Sequence, residues 1–156
     1  MATIALFPGS FDPFTDGHLN ILKRALTMFD TVVVAAGINQ DKKSFYDMEQ
    51  KLDIIAQATK GLKGVEIIQY DGLTVDVCRQ MGIRHIVRGV RNMLDFENER
   101  AIADANRRIA PEIDTIIIPT AQEYAHISSS AVRDILRHHG DTSMFEPKGV
   151  KLPAVK

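Results

Sequence analysis

Eleven residues near the start of the chain, from Pro8 to His18, combine turn-forming residues with a histidine in the string PGSFDPFTDGH. Two prolines, two glycines and two aspartates cannot continue a strand or a helix, so the chain must turn here. Gly9 and Gly17 leave room for a ligand beside the backbone, and His18 falls in the first turn of the next helix, whose free N–H groups favour anions. The stretch therefore predicts a phosphate site with an imidazole donor. The alternative is a βα connection with a tight turn, although such connections usually have only about 2–6 residues.

Two other segments place cations beside the same predicted site. Lys42 and Lys43 follow the second apolar run of the chain. Arg88 and Arg91 flank Gly89 after the fourth run, so two guanidinium forks can reach one phosphate while its oxygens approach the glycine backbone. Ordinary solvated surface charge is the alternative for both segments. The predicted position of the lysines at the same sheet edge as the first turn favours a role in binding.

Three consecutive serines, Ser128, Ser129 and Ser130, open the last predicted helix. One hydroxyl suffices to cap a helix, so the run of hydroxyl and free N–H groups, with Arg133 one turn further on, also predicts a second phosphate cradle. A purely structural capping role is the alternative. Glu99, on the preceding helix, could close the nucleotide end of the site or belong to a charged outer face.

Composition restricts the class of protein. The chain has 156 residues, of which 45% are hydrophobic and 25% charged, as expected of a single globular domain over residues 1–156. A formal net charge of −1 argues against a general nucleic-acid partner. One cysteine, Cys78, excludes an intramolecular disulfide framework and suits a reducing cytoplasm. No apolar run approaches the ~20 residues that span a bilayer, so neither membrane insertion nor secretion is expected.

Hydrophobic periodicity predicts the elements that position these residues. Short runs rich in isoleucine and valine predict five buried parallel strands. They occupy residues 3–7, 31–38, 65–69, 85–87 and 115–118. Helical periods separate them, with Asp47 as an expected N-cap and Gly82 as an expected helix end. The alternation predicts an α/β fold with a single doubly wound, five-stranded parallel sheet of the Rossmann-like type.

The Gly-His turn, residues 88–91 (RGVR) and residues 127–130 (ISSS) together resemble the signatures of a nucleotidyltransferase superfamily. Within it, nearly the whole chain closely resembles the bacterial phosphopantetheine adenylyltransferase family. The likeness extends to the lysine pair before Phe45, the Gly72-Leu73-Thr74 turn, RGVRNMLDFENE and YAHISSSAVRDILRHHGD.

The resemblance implies transfer of AMP from ATP to 4′-phosphopantetheine, which gives dephospho-coenzyme A and pyrophosphate in coenzyme A biosynthesis. It also implies a homohexamer and Mg²⁺ carried on the ATP phosphates, with no metal held by protein side chains. Coenzyme A is a candidate feedback inhibitor. Neither a nucleic acid nor a membrane is an expected partner.

The resemblance assigns residues to the two substrates. His18 would hold the α-phosphate and stabilise the transition state. The positions expected to bind ATP are Ser10, Phe11, His18, Gly89, Val90, Arg91, Glu99, Tyr124, Ala125, His126, Ile127, Ser128, Ser129 and Ser130. Those expected to bind phosphopantetheine are Ser10, Lys42, Thr74 and Arg88.

Several positions depart from the family's pattern. Gln40 and Asp41 stand where the family often has a proline ahead of the lysine pair, which could loosen that loop. Asn98 replaces a common tyrosine, and His126 replaces an aromatic or other apolar residue. Ser10 replaces a frequent threonine and keeps the hydroxyl. These differences concern affinity more than activity.

Three other functions are compatible with the same motifs. A related enzyme could adenylate nicotinate or nicotinamide mononucleotide, or cytidylate a phosphorylated polyol, because it would share the Gly-His turn. A regulator with this sheet would bind ATP and release no pyrophosphate. A structural α/β domain with merely solvated basic turns would bind no nucleotide.

Overall fold

The computed structural model describes residues 2–155; Met1 and Lys156, the ends of the predicted domain, lie outside the described residues. Five parallel strands form one sheet in the order β3-β2-β1-β4-β5. They are β1 (Ile4–Gly9), β2 (Thr31–Gly37), β3 (Val65–Tyr70), β4 (His85–Val90) and β5 (Asp114–Pro119). The chain runs outward from β1 to β3 and then returns to the other side of β1 with β4. The predicted doubly wound parallel sheet is confirmed, and its switch point lies between β1 and β4, where such sheets bind ligands.

Five α-helices connect and cover the strands. They are α1 (Asp16–Ala25), α2 (Met48–Ala58), α3 (Thr74–Met81), α4 (Met93–Ile109) and α5 (Ser129–Arg137). Asp47 caps α2 as predicted, because its carboxylate accepts a hydrogen bond from the backbone N–H of Gln50 at 2.8 Å. Gly82 ends α3 in the left-handed conformation at φ 68°, which glycine adopts without strain.

Strand β4 is longer than its apolar residues predict. The sequence places its end at Val87, yet the strand continues through Arg88, Gly89 and Val90. Gly89 pairs with Ile118 of β5, so the ladder extends beyond the apolar run. The predicted turn with two flanking arginines is therefore the last part of a strand, with only Arg91 beyond it.

Alternate residues of the central strands build an apolar cluster on each face of the sheet. Phe7 and Val34 belong to one cluster, and Leu6 and Val33 to the other. Val150, near the carboxyl end of the chain, is buried in the first cluster. The sheet is thus covered on both faces, as expected of parallel strands.

The segment after α5 docks on its own chain. The Tyr46 hydroxyl donates to the carbonyl of Pro153 at 3.1 Å, and the backbone N–H of Lys151 donates to Gln57 of α2 at 3.0 Å. The sequence after Pro147 has little pattern, which predicts a tail that frays or docks on a neighbouring molecule. These contacts hold the tail against α2 and against Tyr46, which precedes that helix. Between residues 2 and 155, no helix combines the length and the apolar character needed to cross a membrane.

Candidate active site

The loop between β1 and α1, residues 10–15, is called the first loop. This loop, β4 and the start of α5 converge at the carboxyl ends of β1 and β4, where they enclose a cavity of about 300 Å³. We call it the His18 cavity. Most of the positions predicted to bind ATP line it: Ser10, Phe11, His18, Gly89, Arg91, Tyr124, Ile127, Ser128, Ser129 and Ser130. Four predicted positions do not line it: Val90, Glu99, Ala125 and His126. Val90 is buried, and the His126 ring lies 5.9 Å from the ring of Phe145.

The His18 ring is held in one orientation and one tautomer. Its Nδ1 atom accepts a hydrogen bond from the backbone N–H of Thr15 at 2.9 Å, which leaves the ring proton on Nε2. The rings of Phe7, Phe11 and Phe14 surround it at centroid distances of 6.4, 5.1 and 5.4 Å. His18 is therefore a fixed N–H donor in the wall of the cavity.

The surroundings of His18 also keep it neutral. Burial, followed by the positive charges of Arg88 and Arg91, lowers the pKa of His18 to about 3. At neutral pH the imidazole carries no charge and can donate one hydrogen bond from Nε2 to an anion. A general base is not what this geometry offers, because Nδ1 already accepts the Thr15 N–H.

Arg88 is fixed by Glu99. Its Nε and Nη2 atoms donate to the two carboxylate oxygens of Glu99 at 2.8 and 2.7 Å, and its Nη1 donates to the carbonyl of Pro8. The Glu99 side chain is only 12% exposed. This bidentate pair orients the guanidinium at the edge of the His18 cavity. Glu99 thus contacts Arg88 from the side away from that cavity.

Packing explains the glycines at the ends of β1 and β4. A Cβ atom at Gly89 would lie 2.8 Å from Cγ1 of Ile21, so only glycine lets α1 approach β4. At Gly9 it would lie 3.0 Å from the Phe11 ring, which packs against His18. The sequence predicts room for a ligand beside Gly9 and for phosphate oxygens beside Gly89. Their first physical requirement is close packing, while both still line the cavity.

The three serines at the start of α5 all have partners within the chain. Ser128 caps the helix by accepting from the N–H of Ala131 at 3.1 Å. Ser129 donates to the carbonyl of Pro13 at 2.8 Å, and Ser130 accepts from Arg133 at 3.1 Å. Only the Ser129 hydroxyl therefore ties α5 to the first loop, and the other two bonds lie within α5 and its cap. The predicted phosphate cradle at this N-terminus stays a prediction.

The positions predicted to bind phosphopantetheine lie in two neighbouring cavities. Ser10, Thr74 and Arg88 line a cavity of about 510 Å³ beyond the ends of β2 and β3, which we call the Thr74 cavity. Lys42 lines another of about 520 Å³, the Lys42 cavity, on the outer side of the same loops. Ser10 lines both of these cavities and the His18 cavity, and Arg88 lines the Thr74 and His18 cavities.

Two residues of the site were missed from the sequence. Asp12 holds the Lys42 loop, residues 38–47 between β2 and α2, against the first loop. Its carboxylate accepts hydrogen bonds from the backbone N–H groups of Phe45 at 2.7 Å and Tyr46 at 2.9 Å. Lys51 is buried on α2 and donates to the carbonyl of Ser10. The helical spacing of Lys51 with the buried Ile54 and Ile55 was the available signal for its burial. Among residues 2–155, no group of three or more His, Cys, Asp or Glu side chains could hold a metal ion.

Two solved structures with the same fold carry the name adenylyltransferase. A bifunctional NMN adenylyltransferase/ADP ribose pyrophosphatase from Francisella tularensis matches with a TM-score of 0.71 at 18% identity, over 96% of this chain and 46% of the other. A putative nicotinate-nucleotide adenylyltransferase from Vibrio parahaemolyticus matches with a TM-score of 0.68 at 19% identity, over 94% of both chains. At these identities the likeness concerns the fold.

Sequence relatives are much closer. Residues 6–135 match the cytidylyltransferase-like family model. A phosphopantetheine adenylyltransferase from Flavobacterium psychrophilum is 45% identical over 95% of this chain and 97% of its own length. Those from Bacteroides fragilis and Campylobacter jejuni are each 43% identical, over 95% and 97% of this chain and 98% and 95% of their own lengths. The chain therefore belongs to the phosphopantetheine adenylyltransferase family.

Proposed function

We propose that this protein transfers the adenylyl group of ATP to 4′-phosphopantetheine, forming dephospho-coenzyme A and pyrophosphate in coenzyme A biosynthesis. The observation that carries the transfer chemistry is the neutral, oriented His18 between Arg88 and Arg91. The identity of the acceptor is supported by the relatives named phosphopantetheine adenylyltransferase.

The reaction needs charge stabilisation more than proton transfer. A phosphate oxygen of the acceptor attacks the α-phosphorus of ATP, and the bond from that phosphorus to the β-phosphate oxygen breaks with release of pyrophosphate. The attacking oxygen is already anionic, so no general base is required. His18 donates its Nε2 proton in a hydrogen bond to the α-phosphate, and Arg88 and Arg91 offset the repulsion between two polyanions. Magnesium would enter on the ATP phosphates and neutralise part of their charge.

The cavities suggest how the substrates divide the site. ATP occupies the His18 cavity, with its phosphates near the N-terminus of α5. The pantetheine arm occupies the Thr74 cavity, whose wall is fixed by a hydrogen bond between the hydroxyls of Tyr70 and Thr74 at 3.0 Å. The acceptor phosphate meets ATP beside Ser10 and Arg88, since both residues line the two cavities.

Pyrophosphate release tests the proposal. The protein is incubated with ATP and Mg²⁺ and with 4′-phosphopantetheine, nicotinamide mononucleotide or nicotinate mononucleotide, and in a parallel reaction with CTP and glycerol 3-phosphate. We expect release only with phosphopantetheine, together with a product of the mass of dephospho-coenzyme A. Release only with another acceptor would keep the transferase chemistry and overturn the acceptor. Nucleotide binding without release in any reaction would favour a regulator.

We also propose that the protein assembles into a homohexamer. Helix α4 supports assembly, because none of its residues is buried within the described part of the chain. Met93, Leu94 and Ile102 on α4 are 73%, 70% and 53% exposed. Copies of the chain that pack through α4 would remove this apolar surface from water. Light scattering on the purified protein tests the number, and Leu94→Glu should lower the assembled mass.

We also propose that coenzyme A inhibits the reaction and that the protein is cytoplasmic. Coenzyme A would compete with the substrates, because it contains the pantetheine and adenylate parts that the Thr74 and His18 cavities are proposed to hold. Initial rates with added coenzyme A should show a raised KM for phosphopantetheine.

A cytoplasmic location is supported by the single thiol of Cys78, which is buried. Burial raises the pKa of this thiol to about 11.

A further inference from the structure

Lys51 is a buried lysine that joins the two loops of the acceptor side. Its side chain extends from α2, and the residue is 2% exposed. The Nζ atom donates to the carbonyl oxygen of Ser10 at 3.1 Å and to the hydroxyl of Ser44 at 3.2 Å. Ser10 belongs to the first loop, and Ser44 follows Lys42 in the second. One ammonium group therefore sets the distance between the segments that carry both residues.

The charge of Lys51 has only neutral partners in the protein. Both of its hydrogen-bond acceptors are uncharged oxygens, and among residues 2–155 no carboxylate lies within ion-pair distance of it. A buried cation without an anion is costly, because neutral dipoles replace only part of its hydration. An anion bound nearby would therefore interact strongly with this group.

The Lys42 cavity, which Lys51 lines, is strongly basic. Its other cationic lining residues are Lys42, Lys43, Arg133 and Arg137. Asp12 is the one carboxylate among the lining residues that the structure describes, and its two oxygens already accept from backbone N–H groups. Lys51 lines this cavity and neither the His18 cavity nor the Thr74 cavity, so its charge reaches the substrates through Ser10, which lines all three cavities, and through the loop that carries Lys42.

We propose that Lys51 is a positioning residue for the phosphate of the acceptor. Its ammonium group holds the first loop through the carbonyl of Ser10 and the Lys42 loop through the hydroxyl of Ser44. The positive charge of Lys51 is compensated by the acceptor phosphate when that group binds. The inference rests on the proposed function only in naming the acceptor, since the chemical class it requires is a phosphomonoester. ATP, in the His18 cavity, depends on Lys51 much less.

Steady-state kinetics on Lys51→Gln tests the proposal. Glutamine keeps an N–H donor for the loop oxygens and removes the charge. We expect KM for phosphopantetheine to rise at least ~10-fold, the scale for losing one charge-assisted interaction, while KM for ATP changes less than ~2-fold. Lys51→Arg should stay within ~3-fold of the wild-type protein for both substrates. Lys60→Gln, which removes an exposed charge two residues beyond α2, controls for net charge.

A second ligand distinguishes the effect of the Lys51 charge on phosphate binding from the effect of Lys51 on the structure of the two loops. Pantetheine, which lacks the phosphate, is used as a competitive inhibitor against phosphopantetheine. A purely structural Lys51 would weaken pantetheine and phosphopantetheine equally, and that result would overturn the proposal, as would an unchanged KM in Lys51→Gln. If Lys51→Gln does not fold, failure of Lys51→Arg to retain the low KM would also overturn it.

The wild-type protein separates this inference from the proposed function. If the wild-type protein turns over a different phosphorylated acceptor, the proposed acceptor is wrong and the same KM ratio is measured with the acceptor that reacts. If none reacts, calorimetric titration with phosphopantetheine replaces KM by Kd. Equal affinity of wild-type and Lys51→Gln proteins for it would then overturn the role of Lys51.

Discussion

His18 and Lys42 line two different cavities that share Ser10, and the protein holds the two side chains in different ways. His18 is packed among three phenylalanine rings, with Nδ1 fixed by the Thr15 N–H at 2.9 Å. Lys42 is exposed on a loop that is tied down mainly through Asp12. Charge that develops during a reaction is best stabilised by groups that need not move, whereas capture of a charged substrate tolerates long, mobile cations. The comparison predicts that the His18 side governs kcat and the Lys42 side governs KM.

The largest effect should come from His18→Ala. Loss of one preorganised donor to the α-phosphate is expected to lower kcat by at least ~10²-fold, with a smaller change in ATP affinity. Rapid quench of labelled ATP measures the chemical step, and calorimetry measures ATP binding. His18→Gln, which keeps an N–H donor, should recover part of the rate. Unchanged turnover in His18→Ala would contradict the prediction that the His18 side governs kcat.

Half-buried His18, whose pKa is lowered by desolvation, should also make stability depend on pH. Its folded-state pKa of about 3 lies below the ordinary value of 6.5, so the unfolded chain takes up a proton first as the pH falls. The contribution is therefore zero above about pH 6.5 and grows more unfavourable down to about pH 3. At pH 5 it costs about 2 kcal/mol, at about 1.4 kcal/mol per pH unit.

Urea unfolding of the wild-type protein and His18→Gln at pH 7 and pH 5 measures this term. Other titrating groups affect both proteins equally, so the difference between the two pH-dependent losses belongs to His18. The wild-type protein should lose about 2 kcal/mol more. Equal losses in the two proteins would mean that the pKa of His18 in the folded state is close to the ordinary value of 6.5.

Lys42→Met should have a smaller effect and on a different constant. Loss of an exposed cation is expected to raise KM for phosphopantetheine about 10-fold and to leave kcat within about 3-fold, because the ion pair that Lys42 would form with the acceptor phosphate is partly solvated. Lys43→Met is the matched control and should change KM less. A fall in kcat as large as that in His18→Ala would contradict the division between the two sides.

Local sequence signals were sufficient for most of the fold. Asp47 caps α2 and Gly82 ends α3 as expected, because helix ends depend on side chains within a few residues. The end of β4 was predicted at Val87 because the apolar run stops there. The last residues of β4 are held by pairing with β5. Because β5 follows them by more than twenty residues, this pairing cannot be predicted from the residues next to the end of β4.

The sequence indicates candidate site residues where the local context of a residue favours one chemistry. His18 was identified from its turn, and its neutral state depends on packing that the sequence does not display. The close approach of Ile21 to Gly89 likewise arises from the crossing of α1 over β4. Lys51 is the clearest omission, since a lysine on a helix is ordinarily solvated and only three-dimensional contacts place it beneath Ser10.

The smallest expected effect concerns Gln40, which stands where the family often has a proline. Its side-chain amide donates to the Asp71 carboxylate at 3.0 Å, and both residues are exposed. An exposed hydrogen bond of this kind contributes about 0.5 kcal/mol, the low end of the usual range, so Gln40→Ala and Asp71→Ala should each raise KM for phosphopantetheine by no more than about 3-fold. If the two side chains act as a pair, the double variant should match the single ones, because either substitution already breaks the bond. Additive effects would show that they act separately, and a large fall in kcat would place the exposed loop in the chemical step and end the distinction between the two sides.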